Sequence, residues 1–151
     1  MTELRVERVQ CAGLARFLEL DDGDVLFIDS SHVAKTGSDV NFLVFEVLPR
    51  LRPGVRIHFH DIHLPAEYLP EWVLAENRSW NEQYLVHALL MFSTAFRVLF
   101  GSMYAYLKMP ALVRAALGDP RGEAMIGGSL WIRREPEPVA SALQIGSRPH
   151  G

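Results

Sequence analysis

The chain has 151 residues, 49% hydrophobic and 22% charged, with a net charge of −3. That is enough for one domain with a real core, and there is no basic excess to grip nucleic acid. A single cysteine, Cys11, excludes an internal disulfide and fits a reducing compartment as a small helix residue, while a polar start (Met1 to Arg5) and short apolar runs predict a cytoplasmic protein without a membrane span.

Leu4 to Gln10 partly alternates and is expected as a short strand. Cys11 to Leu20 carries Leu14, Phe17 and Leu18 at helical spacing. Asp21-Asp22-Gly23-Asp24 is a turn. Val25-Leu26-Phe27-Ile28 then reads as a buried strand ending in Asp29-Ser30-Ser31-His32. A polar loop holding Lys35 follows, with Ser38 or Asp39 as the expected N-cap. Val40 to Leu51 is apolar on most sides, as expected of a helix packed on a sheet. Pro53-Gly54 stops it, and a second strand runs from Val55 to Asp61.

Ile62 to Arg78, with Pro65, Tyr68, Pro70 and Trp72, reads as a long structured loop, either a lid or a self-packed surface loop. Ser79-Trp80-Asn81-Glu82 matches a capping box for a helix to about Ser93. Phe96 to Phe100 is a strand candidate. Tyr104 to Leu117 is expected to be helical, broken near Pro110 and stopped by Gly118. Gly128 to Arg133 is the last strand. Residues 1–134 are expected to form one α/β domain, and 135–151 a disordered tail.

Strand, helix, strand reads as a parallel β-α-β unit, whose strands finish at one edge of the sheet, where open α/β folds bind ligands. Asp29 and Asp61 are therefore expected to meet. Two chemistries compete for them. In one, the two acids hold a hard divalent cation and a nearby imidazole acts as base. In the other, His58 and His60, on one strand face, join an acid in a zinc or transition-metal site. His58, deeper in its strand, is read first as a satisfied buried histidine, and Lys35 as a solvated charge. Trp72, Trp80 and Tyr84 are read as packing before pocket lining, and His87 as structural.

From Val25 onward the stretches VLFIDSSH, DVNFLVFEVLPRLRPG and VRIHFHDI resemble the C-terminal half of class I S-adenosylmethionine-dependent methyltransferases of the small-molecule O-methyl type. The resemblance implies a Rossmann-like partial sheet, mostly parallel with an antiparallel C-terminal strand and helices on both faces. It implies that Asp29 and Asp61 bind magnesium or another divalent cation. Asp29, Ser30 and Ser31 would border S-adenosylmethionine, and His60, Asp61 and His32 would serve catalysis on a small-molecule acceptor. The family's glycine-rich cofactor loop has no counterpart before Val25. The strand at Val25 would then expose an edge, which predicts cover from Leu4 to Gln10, a homodimer or a partner chain. The alternatives are a non-catalytic remnant acting by self-association, and a metal-dependent hydrolase using Asp29, His58, His60 and Asp61.

Overall fold

The computed structural model describes residues 3–118 and 127–136. Four strands form one sheet in the order β1-β2-β4-β3, where β1 is Val25–Ile28, β2 is Arg56–His60, β3 is Phe96–Gly101 and β4 is Ser129–Arg134. β1 and β2 pair in parallel, and β4 runs antiparallel to both β2 and β3. The protein is thus α/β with a mixed, Rossmann-like sheet whose C-terminal strand is reversed. The expected tail from Glu135 falls almost wholly outside the described residues.

Register divides the side chains by face. Leu26 and Ile28 align with Ile57 and Phe59, which align with Ile132 and Leu130. All six share one core with the helical segment between β1 and β2. That segment starts as α2 (Asp39–Phe42), widens into a π turn (Leu43–Val47) and tightens into a 3-10 turn (Leu48–Arg50). Ser38 caps it, accepting from the Asn41 N–H at 3.1 Å. Pro49 has no N–H to extend the ladder, which suits the tight ending. Val40, Val47, Leu48, Val55, Ile57 and Phe59 are fully buried, so this unit is the mechanical centre of the molecule.

Other helices follow the expected order. These are α1 (Leu14–Phe17), α3 (Pro70–Leu74), α4 (Glu82–Phe92), α5 (Ser102–Lys108) and α6 (Pro110–Leu117). Gly118 ends α6 at φ 65°, the left-handed stop that glycine permits. Three expectations are corrected. Leu4 to Gln10 forms no strand; only a 3-10 turn at Val9–Cys11 is present, and β1 pairs with β2 alone among the described residues. Cys11 is exposed rather than packed in a helix. Ser79 caps nothing: Asn81 precedes α4 without a side-chain cap, because its amide is bound to the Ala34 backbone instead.

The opposite face carries Phe27, His58 and Trp131 in a row across three strands. Their rings lie 4.7 Å and 4.6 Å apart, with His58 between the other two. Phe27 remains 57% exposed, so the edge strand presents an aromatic side chain to solvent.

β4 enters the sheet through Gly128, whose carbonyl accepts from Asp61 N–H at 2.7 Å. A Cβ at Gly128 would sit 2.7 Å from the His63 ring and 2.8 Å from the Asp61 carbonyl carbon. Backbone cannot yield there as a flexible side chain would. Gly128→Ala is expected to cost about 1–3 kcal/mol by overpacking, read as a lower urea midpoint at unchanged slope.

Candidate active site

β1 and β2 end side by side, so the residues that follow them share a rim. Asp29 and Asp61 face the same two imidazoles. His32 Nε2 lies 3.5 Å from Asp29 Oδ1 and 3.9 Å from Asp61 Oδ2. His60 Nδ1 lies 3.7 Å from Asp29 Oδ1 and 3.3 Å from Asp61 Oδ1. The expected meeting of the two acids is thus present, with His32 and His60 beside them.

Two of these residues hold an uncommon backbone. His32 and Asp61 have φ of 57° and 56°. Non-glycine residues adopt this region at a cost of about 1–3 kcal/mol and need support from their surroundings. For Asp61 the support is its bond to Gly128. For His32, the N–H donates to Ser30 Oγ at 2.9 Å. Its carbonyl accepts from the N–H groups of Asn81 and Glu82 at 2.9 and 3.2 Å.

The larger support is a carboxylate that sequence reading placed in a capping box. Glu82 is 1% exposed. Its Oε2 lies 2.9 Å from His32 Nδ1 and accepts from Ser30 Oγ at 2.8 Å. Asn81 fastens the same loop through Ala34, accepting from its N–H at 2.6 Å. Gln83, also buried, accepts from the His63 N–H at 2.7 Å and donates to the Ala66 carbonyl at 2.9 Å. The only signal in the sequence is an Asn-Glu-Gln run opening an otherwise apolar helix, which fits a cap equally well.

The remaining candidates separate. His58 donates to or accepts from Ser129 Oγ at 2.7 Å and lies between Phe27 and Trp131, so it does not join Asp61. Ser31 turns away to Asp39, which accepts from both its N–H and its hydroxyl. Lys35 is exposed. Trp72 and Trp80 pack 5.1 Å apart with the Arg78 guanidinium 4.3 Å and 4.6 Å from their rings. Trp80 also lies 4.2 Å from the His32 ring. The segment after β2 is therefore a self-packed loop that walls His32. An apolar cavity of about 480 Å³ between α4, β3 and α5 contains none of the rim residues.

The geometry bears on the expected ligands. Among the described residues no group of three or more His, Cys, Asp and Glu side chains is arranged to hold a metal ion. The divalent cation expected at Asp29 and Asp61 therefore gains no support, and His58, held by Ser129 between two aromatic rings, stands apart from the other residues of the hydrolase reading. For S-adenosylmethionine the fit is incomplete. The Ser30 and Ser31 hydroxyls are engaged within the protein. The hollow beside Asp29 and Ser30 measures about 150 Å³, and a larger one of about 590 Å³ adjoins Ser31, Lys35 and Asp39.

Burial pushes His32 down, but its hydrogen bond to Glu82 and the charges of Glu82, Asp61 and Asp29 outweigh it, so its pKa stands above the ordinary 6.5. His58 and His63 stand below 6.5, chiefly through burial.

Residues 2–62 match the family model described as a methyltransferase domain. That stretch, less than half of the chain, is similar to such a domain, and it reaches into the residues before Val25 as well as through the Asp29 and Asp61 motifs. No curated protein and no solved structure matches the chain. The helix at residues 82–92, which bears Glu82, lies beyond the matched segment.

The signs of the histidine shifts give a test. The His32 pairing contributes stability that is full below pH 6.5 and is lost as pH rises through its folded value. His58 and His63 contribute the reverse, stability present above 6.5 and lost as pH falls. An NMR titration should show His58 and His63 losing their protons before His32 as pH is raised; the opposite order contradicts the geometry.

Proposed function

We propose that the chain supplies the acceptor side of an O-methyl-transfer site. The observation that carries this reading is the rim at which His32 Nε2 faces Asp29 and Asp61. The similarity of residues 2–62 to a methyltransferase domain supports methyl transfer as the reaction, and S-adenosylmethionine is the donor such domains use.

The chain's own residues have these tasks. His32, in its neutral form, takes the proton of an acceptor hydroxyl at Nε2. Asp29 and Asp61 stabilise the imidazolium that forms and orient the hydroxyl. Trp80 covers one face of His32 and restricts water. His60 lies at the outer side of both acids, where it is open to an entering acceptor. Methyl transfer itself is mostly a matter of positioning.

The donor side is completed against β1. Val25 and Phe27 are exposed on this strand, which has β2 as its one sheet neighbour among the described residues. A second copy or a partner chain covers it and closes the wall beside Asp29.

The test uses S-adenosylhomocysteine in calorimetric titrations, with light scattering at the same protein concentrations. Binding that strengthens as the protein dimerises supports the reading. No heat at millimolar ligand, at any concentration or oligomeric state, defeats it. His32→Asn keeps a residue tolerant of positive φ and removes the base. It should leave ligand affinity within about threefold while slowing transfer to small hydroxyl acceptors about 10²–10⁴-fold.

A further inference from the structure

Glu82 is a buried carboxylate that the reaction above leaves without a task. It opens α4, comes from neither core strand, and reaches the rim from below. Its Oε2 lies 2.9 Å from His32 Nδ1, while Oε1 has no hydrogen-bond partner among the described residues. Such isolation of a carboxylate oxygen is costly in a well-packed interior. The contact to His32 is what the burial secures.

An ionised carboxylate only accepts hydrogen bonds, so the hydrogen in that contact sits on Nδ1. A neutral imidazole carries one N–H. With it on Nδ1, the lone pair is on Nε2 and faces the rim. The groups around the ring compete for that proton. Asp29 follows β1 and Asp61 follows β2; both face Nε2, at 3.5 and 3.9 Å. Glu82 faces Nδ1 from α4 at 2.9 Å, and Trp80 covers the ring. Without Glu82 the two acids would draw the proton to Nε2, and the rim would hold a donor where the chemistry needs an acceptor. The shorter Glu82 contact decides the competition. The Asn81 and Glu82 N–H groups, bound to the His32 carbonyl, fix the ring's approach.

We propose that Glu82 is a positioning residue: it holds the His32 proton on Nδ1 and so keeps Nε2 as the proton acceptor at the rim. The proposal rests on the reading of His32 as the base. It adds a third element, α4, to a site otherwise built from two strand ends. An acid on the far nitrogen of a catalytic imidazole sets tautomer and orientation in unrelated enzymes by the same physics.

The test reads the tautomer directly, by long-range ¹H–¹⁵N NMR of the imidazole nitrogens above the pH at which His32 titrates. The wild-type protein should show a protonated Nδ1 and a bare Nε2. Glu82→Leu, which removes the acceptor, should move the proton to Nε2 and lower kcat at least tenfold with KM within threefold. Glu82→Gln keeps an oxygen at the same reach and should restore the Nδ1–H pattern and most of kcat. Ser30→Ala leaves Glu82 on His32 and should retain the wild-type tautomer.

A wild-type Nε2–H pattern overturns the proposal, and it decides the matter even if Glu82→Leu fails to fold. An unchanged pattern in Glu82→Leu overturns it too, as does a Ser30→Ala shift equal to that of Glu82→Leu, which would mark a loop effect. A wild-type Nδ1–H pattern in a protein that transfers no methyl group supports the positioning and overturns only the reading of the reaction.

Discussion

A buried carboxylate on α4 meets a buried imidazole after β1, across 50 residues of chain, and much of the rim depends on that contact. Neither group could be left alone in the interior. A buried charge without a partner costs several kcal/mol, and removing one member of such a pair is worse than never having it. The contact therefore fixes where α4 begins. Asn81 and Gln83, its neighbours, then fasten the two loops on either side, at Ala34 and at His63. His32 holds its left-handed backbone because Ser30 in its own loop and Asn81 and Glu82 at the start of α4 bind it together.

The second half of the rim is held by close approach rather than charge. Gly128 brings the reversed strand β4 against Asp61 and His63 with no room for a side chain. Asp61 takes its own positive φ there, bonded to the Gly128 carbonyl. Of the three non-glycine residues at positive φ among the described residues, His32 and Asp61 sit at the two strand ends, each braced by a later part of the chain, and the third, Asn77, lies in the loop before α4. Strain that concentrates beside converging carboxylates and imidazoles marks a site more firmly than any one of those groups does. The histidine shifts divide accordingly: burial lowers His58 and His63, while in His32 the Glu82 hydrogen bond and the nearby carboxylates outweigh it and raise the pKa.

The methyltransferase-domain similarity and the geometry overlap only in part. Residues 2–62 include Asp29, Ser30, Ser31, His32, His60 and Asp61, all the rim groups read from the sequence. They exclude Glu82 and Gly128, which brace the rim from residues that follow. The matched stretch thus carries the acids and the imidazoles of the rim, and the later elements carry the means of holding them. The Ser30 and Ser31 hydroxyls, expected beside a cofactor, donate to Glu82 and Asp39 within the protein.

Local pattern determined much of this protein. Short apolar runs ending in Asp29 and Asp61, one amphipathic segment between them, and the stop at Pro53-Gly54 suffice for a parallel unit with both acids on one rim. That inference needs only the two-residue period of strands and the crossover rule. Tertiary structure decided what those acids face. The Asn-Glu-Gln run at Asn81 satisfies a helix cap and a buried clamp equally well in sequence, and the choice depends on a loop 50 residues earlier. His58 and His60 share a strand face, yet Phe27 and Trp131 take one while the rim takes the other. Hydrophobic periodicity records which side of an element is buried; it does not record which distant polar partner waits there, because that pairing is made only when separate elements pack.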